Sequence, residues 1–344
     1  MGLDPKDGGL PMVQDLVESG IDEVPQRFVK PAEERSLSAA WPEDGEVPVI
    51  HAAELDTAEG IAKLDSACRD WGFFQLIGHG IPPELLKQVR KTVRDFFRLP
   101  QEQREAYAIR SDAPSLASQE GYGRFFVPSE ETVLDWGDPV YHFLPPIRNW
   151  PSNPPEYRKV VEEYGQEIRP LAIKLLQCMA EALGQRASFF SEAFGPSPHY
   201  AIRLNYYPPC PQPELVIGLS PHSDVVGLTV LLQDEVEGLQ VKKDGQWRSV
   251  RSIPDAFVVN VGDTVEILTN GAYKSVEHRA VVNKECSRIS IATIYGPGRD
   301  RKLKPITSEE MPPLYKEVSM AELLEAFVNG ELNGKGHLQF VRIA

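Results

Sequence analysis

Between residues 202 and 295 the sequence breaks into short runs rich in β-branched, aromatic and aliphatic residues, and this pattern limits the available folds more than any other. The runs cover 202–207, 228–233, 239–242, 247–250, 257–261, 275–282 and 289–295, with Gly, Asp and Pro at the breaks. Many short strands with turn residues between them read as a sandwich or barrel. Asp244-Gly245, between two of the runs, carries the signature of a tight hairpin, and Asn270-Gly271 marks another turn.

Helical periodicity precedes this region. Within 56–72 the residues Ile61, Leu64 and Cys68 share a face, and Asp56 and Thr57 offer a start. A short strand is expected at 73–77. The segment 82–97 opens on prolines and lines up Leu85, Val89, Val93, Phe96 and Phe97. The longest pattern, 155–183, places Tyr157, Val161, Tyr164, Ile168, Leu171, Leu175 and Met179 on one side, and Pro170 predicts a kink in it. A last helix is expected at 320–328. The fold class that follows is mixed α and β: a barrel-like β core with flanking helices, one of them long enough to buttress it. The expected division is an extension at 1–46, a helical and β region at 47–150, the long helix at 151–197, the β core at 198–298 and a helical tail at 299–344.

Composition narrows function by exclusion. A hydrophobic share of 42% suits a globular core, and no run of about 18 apolar residues could span a bilayer. The first residues carry neither a secretion nor an import pattern, so a soluble cytoplasmic protein is the expectation. A net charge of −14 works against nucleic-acid backbones. Cys68, Cys178, Cys210 and Cys286 lack paired spacing and read as reduced thiols.

The strongest chemical signal is His222-Ser223-Asp224, because alternation on an extended segment sends both outer side chains to one side. Alone, such a pair also fits a hydrogen-bonded surface contact. His278, in a later β run, supplies a second imidazole, and two histidines with one carboxylate form the facial triad of non-haem Fe(II) oxygenases. Three ligands leave three positions, two for a bidentate 2-oxo acid and one for O2. In the run that begins near Arg288, alternation pairs Arg288 with Ser290 on the face opposite Ile289 and Ile291. A guanidinium and a hydroxyl there suit a co-substrate carboxylate, with an Arg in a structural ion pair as the alternative for Arg288 taken alone. The same parity groups Arg203, Asn205 and Tyr207.

These motifs, with GLSPHSD, GLTVLLQ, FVVNVGD, TNGAYKSVEHRAVVN and RISIATIYGP, resemble the plant 2-oxoglutarate- and Fe(II)-dependent dioxygenases, as do WGFFQLIGHGI, FFRLP and GYGRFFV upstream. The resemblance covers about 47–298 and is nearest in wording to the subgroup of senescence-related oxygenases, codeine and thebaine demethylases and lateral branching oxidoreductase. It implies a distorted double-stranded β-helix, or jelly roll. It implies His222, Asp224 and His278 as iron ligands, and Arg288, Ser290 and Tyr207 on the distal carboxylate of 2-oxoglutarate, with Asn205 beside it. It further implies Fe(II), 2-oxoglutarate and O2 as reactants, ascorbate in support, and release of succinate and CO2. The substrate it implies is a small lipophilic metabolite or hormone that is hydroxylated or, at an O-methyl carbon, demethylated; a monomer is favoured.

The substrate wall is less legible. Ile294 and Gly296 continue the Arg288 and Ser290 face, where anthocyanidin synthase and its flavonoid relatives tend to carry an aromatic and an acidic residue; this departure counts against flavonoids. Tyr122, Phe125 and Val127, with Tyr141 and Phe143, are candidate apolar contacts or ordinary core residues. Arg203 suits a substrate carboxylate or, equally, a neighbouring Asp or Glu. His79, flanked by glycines, reads as structural, and the segment 13–31 resembles a leading helix and turn able to help cover the pocket. Two other functions fit the same residues: an Fe(II) oxidase that needs no 2-oxoglutarate, as aminocyclopropane-carboxylate oxidase does, and a catalytically silent jelly-roll binding protein.

Overall fold

The computed structural model describes residues 12–35, 46–109, 120–124, 132–144, 149–329 and 334–343. In chain order the amino-terminal half holds α1 (Val13–Glu18), β1 (Val49–His51), α2 (Ala58–Asp70), β2 (Phe73–Ile77), α3 (Pro83–Phe97), α4 (Gln101–Glu105), β3 (Gly121–Tyr122), β4 (Asp138–Phe143), α5 (Tyr157–Ala182) and α6 (Phe189–Phe194). The β-rich half follows with β5 (His199–Tyr207), β6 (Leu219–His222), β7 (Leu228–Gln233), β8 (Leu239–Lys243), β9 (Gln246–Ser249), β10 (Phe257–Val261), α7 (Asp263–Leu268), β11 (His278–Ala280) and β12 (Arg288–Gly296). A small pair, β13 (Lys302–Leu303) and β14 (Val318–Ser319), then leads into α8 (Met320–Asn329).

The strands form two facing sheets. The larger has the order β1-β2-β10-β7-β12-β5-β4-β3 and the smaller β6-β11-β8-β9. Alternation along the central strands explains the layering. Ile202 and Leu204 of β5, Val230 and Leu232 of β7, and Ile289 and Ile291 of β12 point outward and are buried against α3 and α5. The opposite parity faces the smaller sheet, where Phe73 and Val258 meet Leu239 and Val241.

The helices start and stop where local chemistry directs. Thr57 caps α2 by accepting from the Gly60 N–H at 3.1 Å, and prolines open α3. All seven residues predicted to share a face of α5 are buried. Pro170 sits inside α5 without ending it. Its position and Gln166, four residues earlier, are both on the solvent side, so water can take the carbonyl that loses its donor. The Tyr200 hydroxyl donates to the neighbouring Gly165 carbonyl. Asp244 (φ 51°) and Gly245 (φ 78°) make the predicted two-residue hairpin between β8 and β9.

Three details differ from the sequence expectation. The long helix ends at Ala182, and α6 fills the rest of its expected span. The strand expected over 275–282 shrinks to His278–Ala280, because the backbone at Ser275 is taken by side chains: its N–H donates to Glu266 Oε2 at 2.7 Å and its carbonyl accepts from Lys335 Nζ at 2.9 Å. The large sheet also recruits β1 to β4 from upstream of the expected β core. The turn at Asn270-Gly271 terminates α7, and both residues have positive φ.

β4 is locked to α5 by His142, whose Nε2 lies 2.8 Å from the Tyr157 hydroxyl and whose ring stacks on Trp150. Burial pushes this imidazole from an ordinary 6.5 down to about 3. The unfolded chain accepts a proton that the folded one refuses, so stability is complete above about pH 6.5 and declines as the pH falls toward 3. The urea midpoint is expected to drop between about pH 7 and 4.5, and to drop less in His142→Phe; equal pH slopes in the two proteins would contradict this account.

Candidate active site

A cavity of about 550 Å³ opens between the sheets. At its centre stand His222 at the end of β6, Asp224 just beyond it, and His278 at the start of β11. His222 and His278 face each other across the β6–β11 pairing, with ring centroids 4.3 Å apart. Each Nε2 lies 3.7 Å from Asp224 Oδ1, and the ligand atoms of all three residues fall within 4.8 Å of one another.

The donor set suits a cation because every other polar atom of the three is committed. His222 Nδ1 donates to the Ser220 carbonyl at 2.8 Å and His278 Nδ1 to the Val276 carbonyl at 3.1 Å, which leaves both Nε2 lone pairs turned inward. Asp224 Oδ2 accepts from Thr229 Oγ1 at 2.6 Å and Asn260 Nδ2 at 2.8 Å, which leaves Oδ1 toward the histidines. Burial and the neighbouring His278 push His222 down to about 4, so it stays neutral and able to ligate. Burial alone would raise Asp224, but the two imidazoles and the Asn260 and Thr229 donors outweigh it and hold the carboxyl below its ordinary value.

The register of β12 on β5 sets the rest of the wall. Arg288 lies opposite Tyr207, Ser290 opposite Asn205, Ala292 opposite Arg203 and Ile294 opposite Ala201. Arg288 is buried, with Nη2 2.8 Å from Gln233 Oε1, Nε 3.1 Å from the Val236 carbonyl, and its guanidinium carbon 5.2 Å from the Tyr207 ring centroid. A Cβ at Gly238 would come within 2.7 Å of Arg288 Cδ, so the arginine passes where only glycine leaves room. Burial raises the Tyr207 phenol, which remains protonated and a donor. Asn205 Nδ2 donates to Ser290 Oγ at 3.3 Å, and Arg203 Nε donates to Asn205 Oδ1 at 2.8 Å.

Beyond the triad the lining is mainly apolar, with Val225, Val226, Ile294, Pro297, Leu324 and Phe327, joined by the charged Arg299 and Glu325. Leu324 and Phe327 belong to α8, which closes this end. The segment after α8 is tied to β6, the strand that ends at His222: the Gly334 N–H donates to the Pro221 carbonyl at 3.1 Å, and His337 Nε2 meets Asp263 Oδ2 at 2.6 Å, the same oxygen that accepts from Ser223 Oγ at 3.1 Å.

The structure thus gathers His222, Asp224, His278, Arg288, Ser290, Tyr207, Asn205, Arg203 and Ile294 around one cavity, with Tyr141 and Phe143. Tyr122 is not on it. Its ring is buried in the core against Phe96 and Phe97, at 6.0 and 6.2 Å, because β3 turns it toward α3. Gly296 also fails to form wall: a Cβ there would meet the Gly227 nitrogen at 2.7 Å, so it serves a close approach of two backbones. Phe125 and Val127 lie outside the described residues. His79 makes structural bonds, to the Asp255 carbonyl at 2.7 Å and the Ile81 N–H at 3.1 Å. The amino-terminal segment braces β6 from outside the cavity, where Lys30 Nζ reaches Asp135 Oδ1 and Ser220 Oγ, each at 2.9 Å. The sequence reading missed Thr229, Asn260, Gln233, His199 and the α8 residues. Parity could have found the first three, each a polar residue within an apolar β run.

Comparison with known proteins places this arrangement. Residues 198–297 match the 2OG-Fe(II) oxygenase superfamily, and residues 47–161 match the non-haem dioxygenase in morphine synthesis N-terminal family. The chain belongs to the 2-oxoglutarate- and Fe(II)-dependent oxygenases, and it is an enzyme of the plant dioxygenase type that acts on small molecules. It is 39% identical to protein SRG1 of Arabidopsis thaliana over 97% of this chain and 96% of that one. It is also 39% identical to oxoglutarate-dependent flavonoid 7-O-demethylase 1 of Ocimum basilicum, covering 97% and 91%. A crystal structure of JOX2 in complex with 2-oxoglutarate, iron and JA matches with a TM-score of 0.89 and 38% identity, covering 98% of this chain and 99% of that one. Iron and 2-oxoglutarate are therefore the cofactor and co-substrate, and the jelly roll is the fold. None of the described helices is long and apolar enough to cross a membrane.

Two outcomes follow from the geometry. Asn260→Leu removes one of the two donors fixing Asp224 and is expected to weaken Fe(II) affinity by about 10- to 100-fold, measured by anaerobic titration; unchanged affinity would mean Asp224 needs no such anchor. Arg288→Ala is expected to raise the 2-oxoglutarate requirement by the equivalent of about 2 to 5 kcal/mol, and an unchanged requirement would remove Arg288 from the co-substrate site.

Proposed function

We propose that His222, Asp224 and His278 hold the iron, that Arg288, Ser290, Tyr207 and Asn205 hold the distal carboxylate of 2-oxoglutarate, and that the enzyme hydroxylates a small, largely apolar carboxylic acid gripped by Arg203. The iron with 2-oxoglutarate and O2 supplies the oxygen inserted into a substrate C–H bond, with succinate and CO2 as co-products. The chain supplies orientation and dryness. The co-substrate carboxylate meets a planar fork from Arg288 plus the Ser290 and Tyr207 hydroxyls, while Gln233 and the Val236 carbonyl keep the fork from swinging. The apolar walls and α8 exclude water around the reacting carbon.

The observation that carries the acidic substrate is Arg203. Its Nε is spent on Asn205, and among the described residues it has no carboxylate partner, although it faces the cavity and is half-buried. A guanidinium so placed favours an anion brought by the substrate. The JA named in the JOX2 complex fits that reading. Similarity to a flavonoid O-demethylase keeps demethylation within reach of the same cavity, and Ile294 with Gly296 does not by itself set flavonoids aside.

Jasmonic acid and its methyl ester, offered separately with Fe(II), 2-oxoglutarate and O2, test the reading through succinate and a product heavier by one oxygen. The acid is expected to turn over faster than the ester, and Arg203→Leu to erase the difference. Faster turnover of the ester, or formaldehyde release from a methoxylated substrate with the acid left untouched, would overturn it.

A further inference from the structure

His199 begins β5 with the same parity as Arg203 and lies four residues along it, about 13 Å at the rise of a β-strand. It therefore marks the end of the cavity away from the co-substrate. Its ring is part of the wall, edge-on to Phe143 with centroids 5.6 Å apart. Nε2 lies 2.9 Å from the Tyr141 hydroxyl, and Tyr141 in turn pairs with Arg203 across the β4–β5 register. Among the described residues Nδ1 has no hydrogen-bond partner. Burial pushes the imidazole down to about 4 and raises the Tyr141 phenol, so the two groups meet as neutral imidazole and intact hydroxyl.

We propose that Tyr141 donates its hydroxyl to His199 Nε2, which fixes the Nδ1–H tautomer, and that Nδ1–H is a specificity-determining donor for a carbonyl oxygen at the far end of the substrate. When a substrate fills this end of the cavity and displaces water, an N–H that it covers without an acceptor is costly, so the site rewards a molecule that brings an acceptor there and discriminates against one that brings only carbon. A carbonyl needs one donor and no counter-charge, which matches what His199 offers. Tyr141 acts through His199 and is a positioning residue. The tautomer is assigned from the hydrogen-bond pattern.

This inference rests on the cavity being the substrate compartment of the proposed enzyme but not on the acidic group at Arg203. The test uses protein loaded anaerobically with Fe(II) and 2-oxoglutarate, titrated calorimetrically with 2-acetylnaphthalene and with 2-isopropenylnaphthalene, which keeps the shape and replaces the carbonyl oxygen with a methylene. The wild type is expected to bind the ketone about fivefold more tightly, the order that one neutral hydrogen bond supplies. His199→Phe is expected to bind both equally, and Tyr141→Phe to retain only part of the preference. Equal binding by the wild type, a preference that survives in His199→Phe, or binding of neither molecule would overturn the proposal. Because both molecules are uncharged, this result can fail while the preference for acid over ester stands, and the reverse.

Discussion

Everything at this site depends on the antiparallel pairing of β5 with β12, which runs in register from Arg288 opposite Tyr207 to Gly296 opposite His199. One slip of a residue would turn the shifted strand's cavity side chains into the helix layer and its core residues into the cavity. The register is held from outside, because Ile202, Leu204, Ile289 and Ile291 are packed against α3 and α5. The function of the long helix is thus indirect: it makes the polar face of the sheet unambiguous. Along that face the groups proposed to bind the co-substrate come first, then Arg203, then His199.

The smaller sheet solves a different problem. Three ligand atoms must converge without collapsing onto one another, and a bare carboxylate between two imidazoles would do so unless its free rotation were stopped. Thr229 from β7 and Asn260 from β10 hold one Asp224 oxygen, while backbone carbonyls hold both Nδ1 atoms. The donors that organise the centre therefore come from the large sheet and the histidines from the small one. The two sheets are complete as a site only when packed together. The carboxy-terminal segment adds a third support through Asp263, which accepts from Ser223, between His222 and Asp224, and from His337 beyond α8.

Much of this was legible in the sequence. Period-2 alternation sufficed to group Arg203 with Asn205 and Tyr207, and Arg288 with Ser290, since each group sits on one regular strand. The helical faces of α3 and α5 were equally plain, because a 3.6-residue repeat states its own buried side. What escaped has physical reasons. Tyr122 looked like a cavity residue by its neighbours in the chain, but a two-residue strand carries too little pattern to say which face it presents. Gly296 followed the parity of Ile294, yet close approach of the Gly227 backbone had removed the space. His199 shares the parity of Arg203 but belongs with Tyr141 and Phe143, and α8 closes the cavity from the far end of the chain; contacts across such distances leave no periodic mark.

The central claim, that His222, Asp224 and His278 hold an iron that also chelates 2-oxoglutarate, is tested most directly by anaerobic Fe(II) titration with and without 2-oxoglutarate, watching the weak visible charge-transfer band of a chelated 2-oxo acid. The account predicts that the band appears with one iron per chain and is lost in His278→Ala. Iron bound at that stoichiometry with no band on adding 2-oxoglutarate, or a band that persists in His278→Ala, would contradict it.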